Sequence, residues 1–172
     1  MTAFNRLILE RGYAELTPGE VAAAANVGRS TFYEHFGGID DLLSRALSPM
    51  LAPLANGCLE RTVPDAALRT VEHLWDNRRL ARALLCGDAY TVVLRSFARL
   101  FSSAVDTGKG TSRTQLEPEL IGLQLAAGQL AVLGAWLSGR SGHSASEIAH
   151  ALHASGRAVF VAMLETQPTS RP

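Results

Sequence analysis

The chain has 172 residues, 47% of them hydrophobic, with 16 basic and 16 acidic side chains and no formal net charge. That length allows one large domain or two small ones around a real core, and neutrality sets it apart from proteins that coat nucleic acid through a strongly basic surface. No run of eighteen residues is free of polar groups, which argues against a membrane span, and two cysteines, Cys58 and Cys86, are too few for a disulfide framework.

Fifteen of the sixteen cations are Arg, which favours forked contacts over point charges. Both cysteines stand among apolar neighbours and are expected to pack as small hydrophobes. The first residues lack a basic patch followed by an apolar run, so no signal peptide is expected. A soluble cytoplasmic protein is the expectation.

Apolar residues recur three and four apart along most of the chain, and strand signals are nearly absent, so an all-α fold is predicted. Breakers divide it at "YAELTPG", at "NVG" (26–28), at "GG" (37–38), at "SPMLAP" (48–53) and at "TVPD" (62–65). "DTGKGTSRTQLEP" (106–118) and "SGRSGHSAS" (138–146) are the last two. The first of these is polar and rich in Gly, Ser and Thr, which predicts a surface loop. Long helices are expected over 88–105, 117–138 and 145–164. Pro49 and Pro53 should end or kink the helix that starts near Asp40. This separates a small unit at 1–47 from a larger one at 48–172.

The segment "LTPGEVAAAANVGRSTFYEHF" carries the most information. Thr17 suits an N-cap, Pro18 the first helical position, and Glu20 stands three residues after the cap, so the three form a T-x-x-E capping box. A helix is predicted to about Ala25, followed by Asn26, a residue that tolerates left-handed backbone. A second short helix fits Arg29 to Phe36. Val21, Ala22, Ala25, Val27 and Phe32 are small or apolar enough to fill the angle between two steeply crossed helices, which is a helix-turn-helix pattern. At 100° per residue Phe32 and Phe36 fall together on an inner face. The outer face then carries Ser30, Thr31, Tyr33 and Glu34, with Arg29 and His35 at its ends. Such groups reach phosphates and base edges in a DNA major groove.

"ERGYAELTPGEVAAAANVGRSTFYEHFGGIDDLL" resembles the DNA-binding domain of the TetR family of bacterial transcriptional regulators. The resemblance covers residues 4 to about 47 and includes Gly12, Tyr13, Thr17, Val21, Ala22, Ala25, Val27, the "STFYEHF" helix and the acidic "DDLL". It implies a three-helix DNA-binding domain followed by a helical ligand-binding and dimerisation domain. It also implies that Thr17 contacts phosphate, that Arg29, Ser30 and Thr31 sit at the groove, and that Tyr33 and His35 meet the DNA backbone. Phe32 and Phe36 would be core. The chain departs from the family pattern at Gly28, where a capping Ser or Thr is usual, and at Ile39, where Lys is usual. Glu34 also differs: it could accept from a cytosine amine or repel phosphate. Residues 1–47 hold four Arg against six acidic residues, a balance of −2, so a shallow salt dependence of DNA binding is expected.

Further along, Trp75, Leu84, Cys86, Tyr90, Leu94, Phe97 and Phe101 are candidate liners of a pocket for a small apolar or aromatic ligand. The segment 117–138 is apolar around most of its circumference, with Gly122, Ala126, Gly128 and Gly134 small enough for close helix approach. It therefore needs burial on more than one side. Leu123, Leu130, Leu133 and Trp136, with Ile148, Leu152, Val159 and Met163 of the last helix, are the expected dimer interface, a four-helix arrangement between two copies. Glu147, His150, His153 and Arg157 share the other face of the last helix and lack a committed metal-ligand set. No nucleophile elbow, phosphate loop or H-E-x-x-H stands in the sequence, so neither an enzyme nor a cofactor is expected. The leading reading is a ligand-responsive regulator, a repressor acting as a homodimer on a palindromic double-stranded DNA operator. The alternative is a small-molecule-binding or protein-interaction dimer whose DNA module has weakened.

Overall fold

The computed structural model describes residues 2–107 and 117–164, and among them the regular structure is entirely α-helical. In chain order the helices are α1 (Thr2–Arg11), α2 (Pro18–Ala24), α3 (Arg29–His35), α4 (Ile39–Gly57), α5 (Asp65–Asp76), α6 (Arg78–Leu85), α7 (Tyr90–Thr107), α8 (Pro118–Leu137) and α9 (Ala145–Leu164). Most of the 106–118 segment lies outside the described residues.

The first three helices and the start of α4 share one small core. Phe4 and Ile8, one turn apart on α1, are buried with Val21, Ala22, Phe32, Leu42 and Leu43. Gly12 ends α1 at φ +85°, a left-handed position suited to glycine, and its N–H reaches the Ile8 carbonyl at 3.0 Å. The capping box forms as predicted. The Thr17 side chain accepts from the Glu20 N–H, and the Thr17 N–H donates to Glu20 Oε2 at 3.0 Å. Asn26 takes the left-handed turn at φ 56°. Two of the expected plugs do not plug. Ala25 and Val27 are exposed, Val27 by 44%, because the left-handed Asn26 swings the turn away from the core. Val21, Ala22 and Phe32 fill the angle alone.

The prolines of α4 do not end it. The helix continues from Ile39 to Gly57 with Pro49 and Pro53 inside. Each proline removes one ladder donor. Burial of Leu47, Leu51, Leu54 and Ala55 within the core holds the helix together through the gap, and Thr70 Oγ1 of α5 donates toward the Met50 carbonyl at 3.1 Å. The predicted boundary at residue 47 thus falls inside one continuous helix.

In the remainder α7 and α8 pack closely, and Gly122 sets their spacing. A Cβ there would stand 2.4 Å from the Ala98 carbonyl oxygen and 2.3 Å from Ser102 Oγ. The break between α5 and α6 at Asn77 has no Gly or Pro to announce it; the Asn77 side chain instead donates to the His73 carbonyl at 3.0 Å. α8 is long and apolar enough to cross a membrane by composition, but here it is a core helix. It buries Ile121, Leu125, Leu130, Leu133, Trp136 and Leu137 within the chain, each worth about 1.5–3 kcal/mol. The Trp136 indole N–H donates to the His143 carbonyl at 2.8 Å, which ties down the turn into α9. Cys58 is buried as expected, whereas Cys86 is exposed at the end of α6.

Candidate nucleic-acid interface and effector cavity

The α3 helix owes its orientation to two rings. Phe32 is buried against the small core, with Phe36 packed at 5.4 Å and Tyr33 edge-on at 5.6 Å. Arg45 of α4 lies over Phe36, its guanidinium 5.8 Å from the ring centre. With that side pinned, Arg29, Ser30, Tyr33, Glu34 and His35 all face outward, and Thr31 is half-buried. Arg29 stands over the Tyr33 ring at 5.8 Å, so the cation and the phenol form one unit at the exposed surface. Thr17 is exposed but occupied: its hydroxyl lies 2.7 Å from Glu20 Oε2, in donating range.

Four of the six acidic residues in this unit are engaged by partners within it. Glu20 pairs with Arg11 and Glu10 with Arg6. Asp41 pairs with Arg45 at 3.0 Å and accepts from the Gly37 N–H. Asp40 accepts from the Tyr13 hydroxyl at 2.6 Å. Burial, and then the bond to Asp40, push the Tyr13 phenol far above its ordinary range, so it stays a donor. The Thr17 hydroxyl bond, then Arg11, hold the Glu20 carboxyl below its usual range. The Arg45 bond, then the Gly37 N–H, do the same for Asp41. Glu34 is the acid on the α3 face, and among the described residues it has no ionic partner.

The pocket candidates do not come together. Phe97 and Phe101 are fully buried with rings 4.7 Å apart, as core. Trp75 is 38% exposed and stacks on Trp136 at 4.7 Å. Cys86 sits beside Gly134 and Ser138. Tyr90 and Leu94 are half-buried on α7, and from Tyr90 to Phe101 the helix climbs about 16 Å. Apolar periodicity marks burial and does not separate a packed ring from a pocket wall. A cavity of about 320 Å³ opens instead where α1, α4, α5 and α6 meet. Phe4, Leu43, Leu47, Met50 and Leu84 form its apolar wall, and Asn5, His73 and Asn77 bring polar groups to it. Of the sequence candidates only Leu84 belongs there. Its signal was faint: an Asn on the apolar face of α1 and another at the break between α5 and α6.

The dimer candidates also need correction. Leu130, Leu133, Trp136 and Leu152 are 0–1% exposed within a single chain, and Val159 packs half-buried against the same core. The first four have no surface left for a second copy. Leu123 does face outward at 41%, with Leu120 at 47% and Val132 at 41%. The Met163 side chain lies outside the described residues. On α9 the outward positions include Ala151, Ala154, Ser155, Ala158 and Ala162, with Ser146, Glu147 and His150 toward its start. A helix apolar on all sides gives no phase from which to tell the inner face from the outer.

The polar cluster of α9 is structural. Ser144 and Glu147 form a second capping box, with Ser144 N–H donating to Glu147 Oε2 at 2.8 Å and Glu147 N–H to Ser144 Oγ at 3.2 Å. Arg157 donates to the Leu59 carbonyl at 3.2 Å, and a ring nitrogen of His153 lies 3.2 Å from the Glu60 carbonyl. Both side chains thus cover the end of α4, and His150 turns back to the Ser146 carbonyl.

Residues 2–46 match the model of a family described as bacterial regulatory proteins, tetR family. The whole chain is similar in fold to Thermus thermophilus FadR, a TetR-family transcriptional repressor solved with lauroyl-CoA. The identity is 18% over 99% of this chain and 96% of that one, with a TM-score of 0.53. It is similar also to the dihydroxyacetone kinase operon activator DhaS, at 18% identity over 95% of each chain and a TM-score of 0.52. No curated protein matches it.

Proposed function

We propose that this chain, whose residues 2–46 match the model of the bacterial regulatory proteins, tetR family, is a ligand-responsive regulator that binds a palindromic operator as a homodimer in the cytoplasm. The observation that carries this reading is the exposed α3 face. Arg29, Ser30, Tyr33 and His35 stand outward on a helix held from behind by Phe32 and Phe36. Arg29, Ser30 and Thr31 enter the major groove, while Tyr33, His35 and the Thr17 end of α2 meet phosphates. The Thr17 hydroxyl must turn from Glu20 to do so. The outward stripes of α8 and α9 join two copies in a four-helix seam, which sets two α3 helices against two half-sites. The effector is a small molecule with an apolar or aromatic body, seated in the cavity shared by α1, α4, α5 and α6. The action is proposed to be repression. The similar folds include one repressor and one activator, so the sign rests on this proposal and not on the fold.

The test is a titration against labelled DNA from upstream of the chain's own gene at two salt concentrations. Saturable, salt-sensitive binding is expected, and Tyr33→Ala should weaken it roughly five- to tenfold through loss of a phosphate hydrogen bond. Absence of binding at low salt would overturn the reading. A dimer in solution that takes up small molecules would then favour the binding-protein alternative, for which the −2 balance of residues 1–47 speaks.

A further inference from the structure

Two spaces meet at the junction of α1 and α6. One is the apolar chamber of about 320 Å³. The other is an open cleft of about 660 Å³ bordered by Arg6, Arg78 and Arg79, with Glu10 and Asp76 also on its rim. Asn5, Asn77 and Leu80 line both, so chamber and cleft share one border. The charges in the cleft are unevenly matched. Arg6 already holds Glu10 at 3.8 Å. Arg78 lies over Trp75 at 5.4 Å, a contact that leaves its N–H edges available. Among the described residues neither Arg78 nor Arg79 has a carboxylate within ion-pair distance. Two unpaired guanidiniums therefore stand beside an apolar chamber, with Asp76 as their one unpaired acidic neighbour on the rim.

We propose that this junction is the binding site of an amphipathic organic anion. The apolar body enters the chamber and the carboxylate rests on Arg78 and Arg79, where guanidinium forks give two-pronged hydrogen bonds. Asn5 and Asn77 serve the polar neck between them. The chamber alone would select by shape and apolarity, and the arginines add selection by charge. The inference deepens the regulator reading and rests on it for one consequence only. An occupant gripped by both α1 and α6 alters how the DNA-binding unit sits on the rest of the chain.

The test is calorimetric titration of the full chain with three probes that share a bicyclic body: naphthylacetate, naphthylethanol and naphthylethylammonium. One-to-one saturable binding of naphthylacetate is expected, about tenfold tighter than the alcohol, as charge-assisted bonds to exposed arginines give, with the ammonium weakest. In the doubly substituted Arg78→Gln/Arg79→Gln protein the advantage over the alcohol should vanish while the alcohol binds as before. Ala46→Leu, which fills the chamber from α4, should weaken all three; unchanged circular dichroism certifies its fold, and the exposed arginine variants carry the test if it fails. No saturable binding of any probe would overturn the site. Equal binding of acetate and alcohol, or an advantage that survives the double substitution, would overturn the anionic assignment. Operator binding by ligand-free protein is read in parallel. A protein that takes up naphthylacetate as expected but binds no operator leaves the site standing and sinks the regulator reading instead.

Discussion

Glu34 is a carboxylate on the α3 face proposed to meet DNA, exposed and without an ionic partner among the described residues. A charge that meets phosphate at contact distance in water costs about 1 kcal/mol. Glu34→Gln should therefore tighten binding to DNA of arbitrary sequence by roughly fivefold and leave the protein's thermal stability unchanged. If operator affinity falls instead while arbitrary DNA gains, Glu34 reads a cytosine amine. The two cysteines differ just as sharply. Burial pushes the Cys58 thiol up to about 11, while Cys86 is exposed. Iodoacetamide at mildly alkaline pH should label Cys86 in the native protein and reach Cys58 only after unfolding, with mass spectrometry as the readout. Two glycines of α8 give a third contrast. Gly122→Ala puts a Cβ against the Ala98 carbonyl and should cost about 1–3 kcal/mol. Gly128→Ala meets nothing within 4 Å and should leave the fold of the single chain intact.

At the scale of the helix, α2 and α8 mark the two ends of what the sequence makes legible. The start of α2 was readable in full, because Thr17, Pro18 and Glu20 act locally and a capping box needs no tertiary partner. The phenylalanine face of α3 was readable for the same reason, since a short helix with two rings has one way to bury them. The outward face of α8 was not, because a helix apolar all round has no amphipathic phase. The cavity between α1, α4, α5 and α6 was illegible too: Asn5 and Asn77 are far apart in sequence and come together only when α1 crosses α6. The capping box also predicts an acid dependence. Its folded state holds the Glu20 carboxyl below the usual range. A depressed folded pKa contributes stability that is fully present above the unfolded value of about 4.3 and is lost as pH falls through the folded one. Thermal unfolding midpoints should fall on acidification through that window, and less steeply in Glu20→Gln. Asp41 and Glu147 are held low as well, so part of the slope should survive.

For the whole molecule the decisive question is what covers the outward stripe of α8. Leu120, Leu123 and Val132 are each more than 40% exposed; Leu123 and Val132 stand at the two edges of the exposed arc of α8, with Leu120, Gln124, Gly128 and Ala131 between them. Beside them α9 offers Ala151, Ala154, Ser155 and Ala158. Leucines and valines next to alanines suit two such helix pairs packed across a two-fold axis, where large side chains of one copy settle over small ones of the other. Val132→Glu should then place a carboxylate in the seam, and its symmetry mate would bring a second carboxylate into the same seam. The substituted side chain is exposed in the single chain, so helix content by circular dichroism should not change. Light scattering should show a monomer in place of a dimer. Operator affinity should fall by about a hundredfold or more, because two half-sites are no longer bound by one linked pair of α3 helices. A variant that stays dimeric would move the interface elsewhere. A monomer that still binds the full operator at wild-type strength would show that one α3 helix is sufficient, and the palindromic operator would lose its rationale.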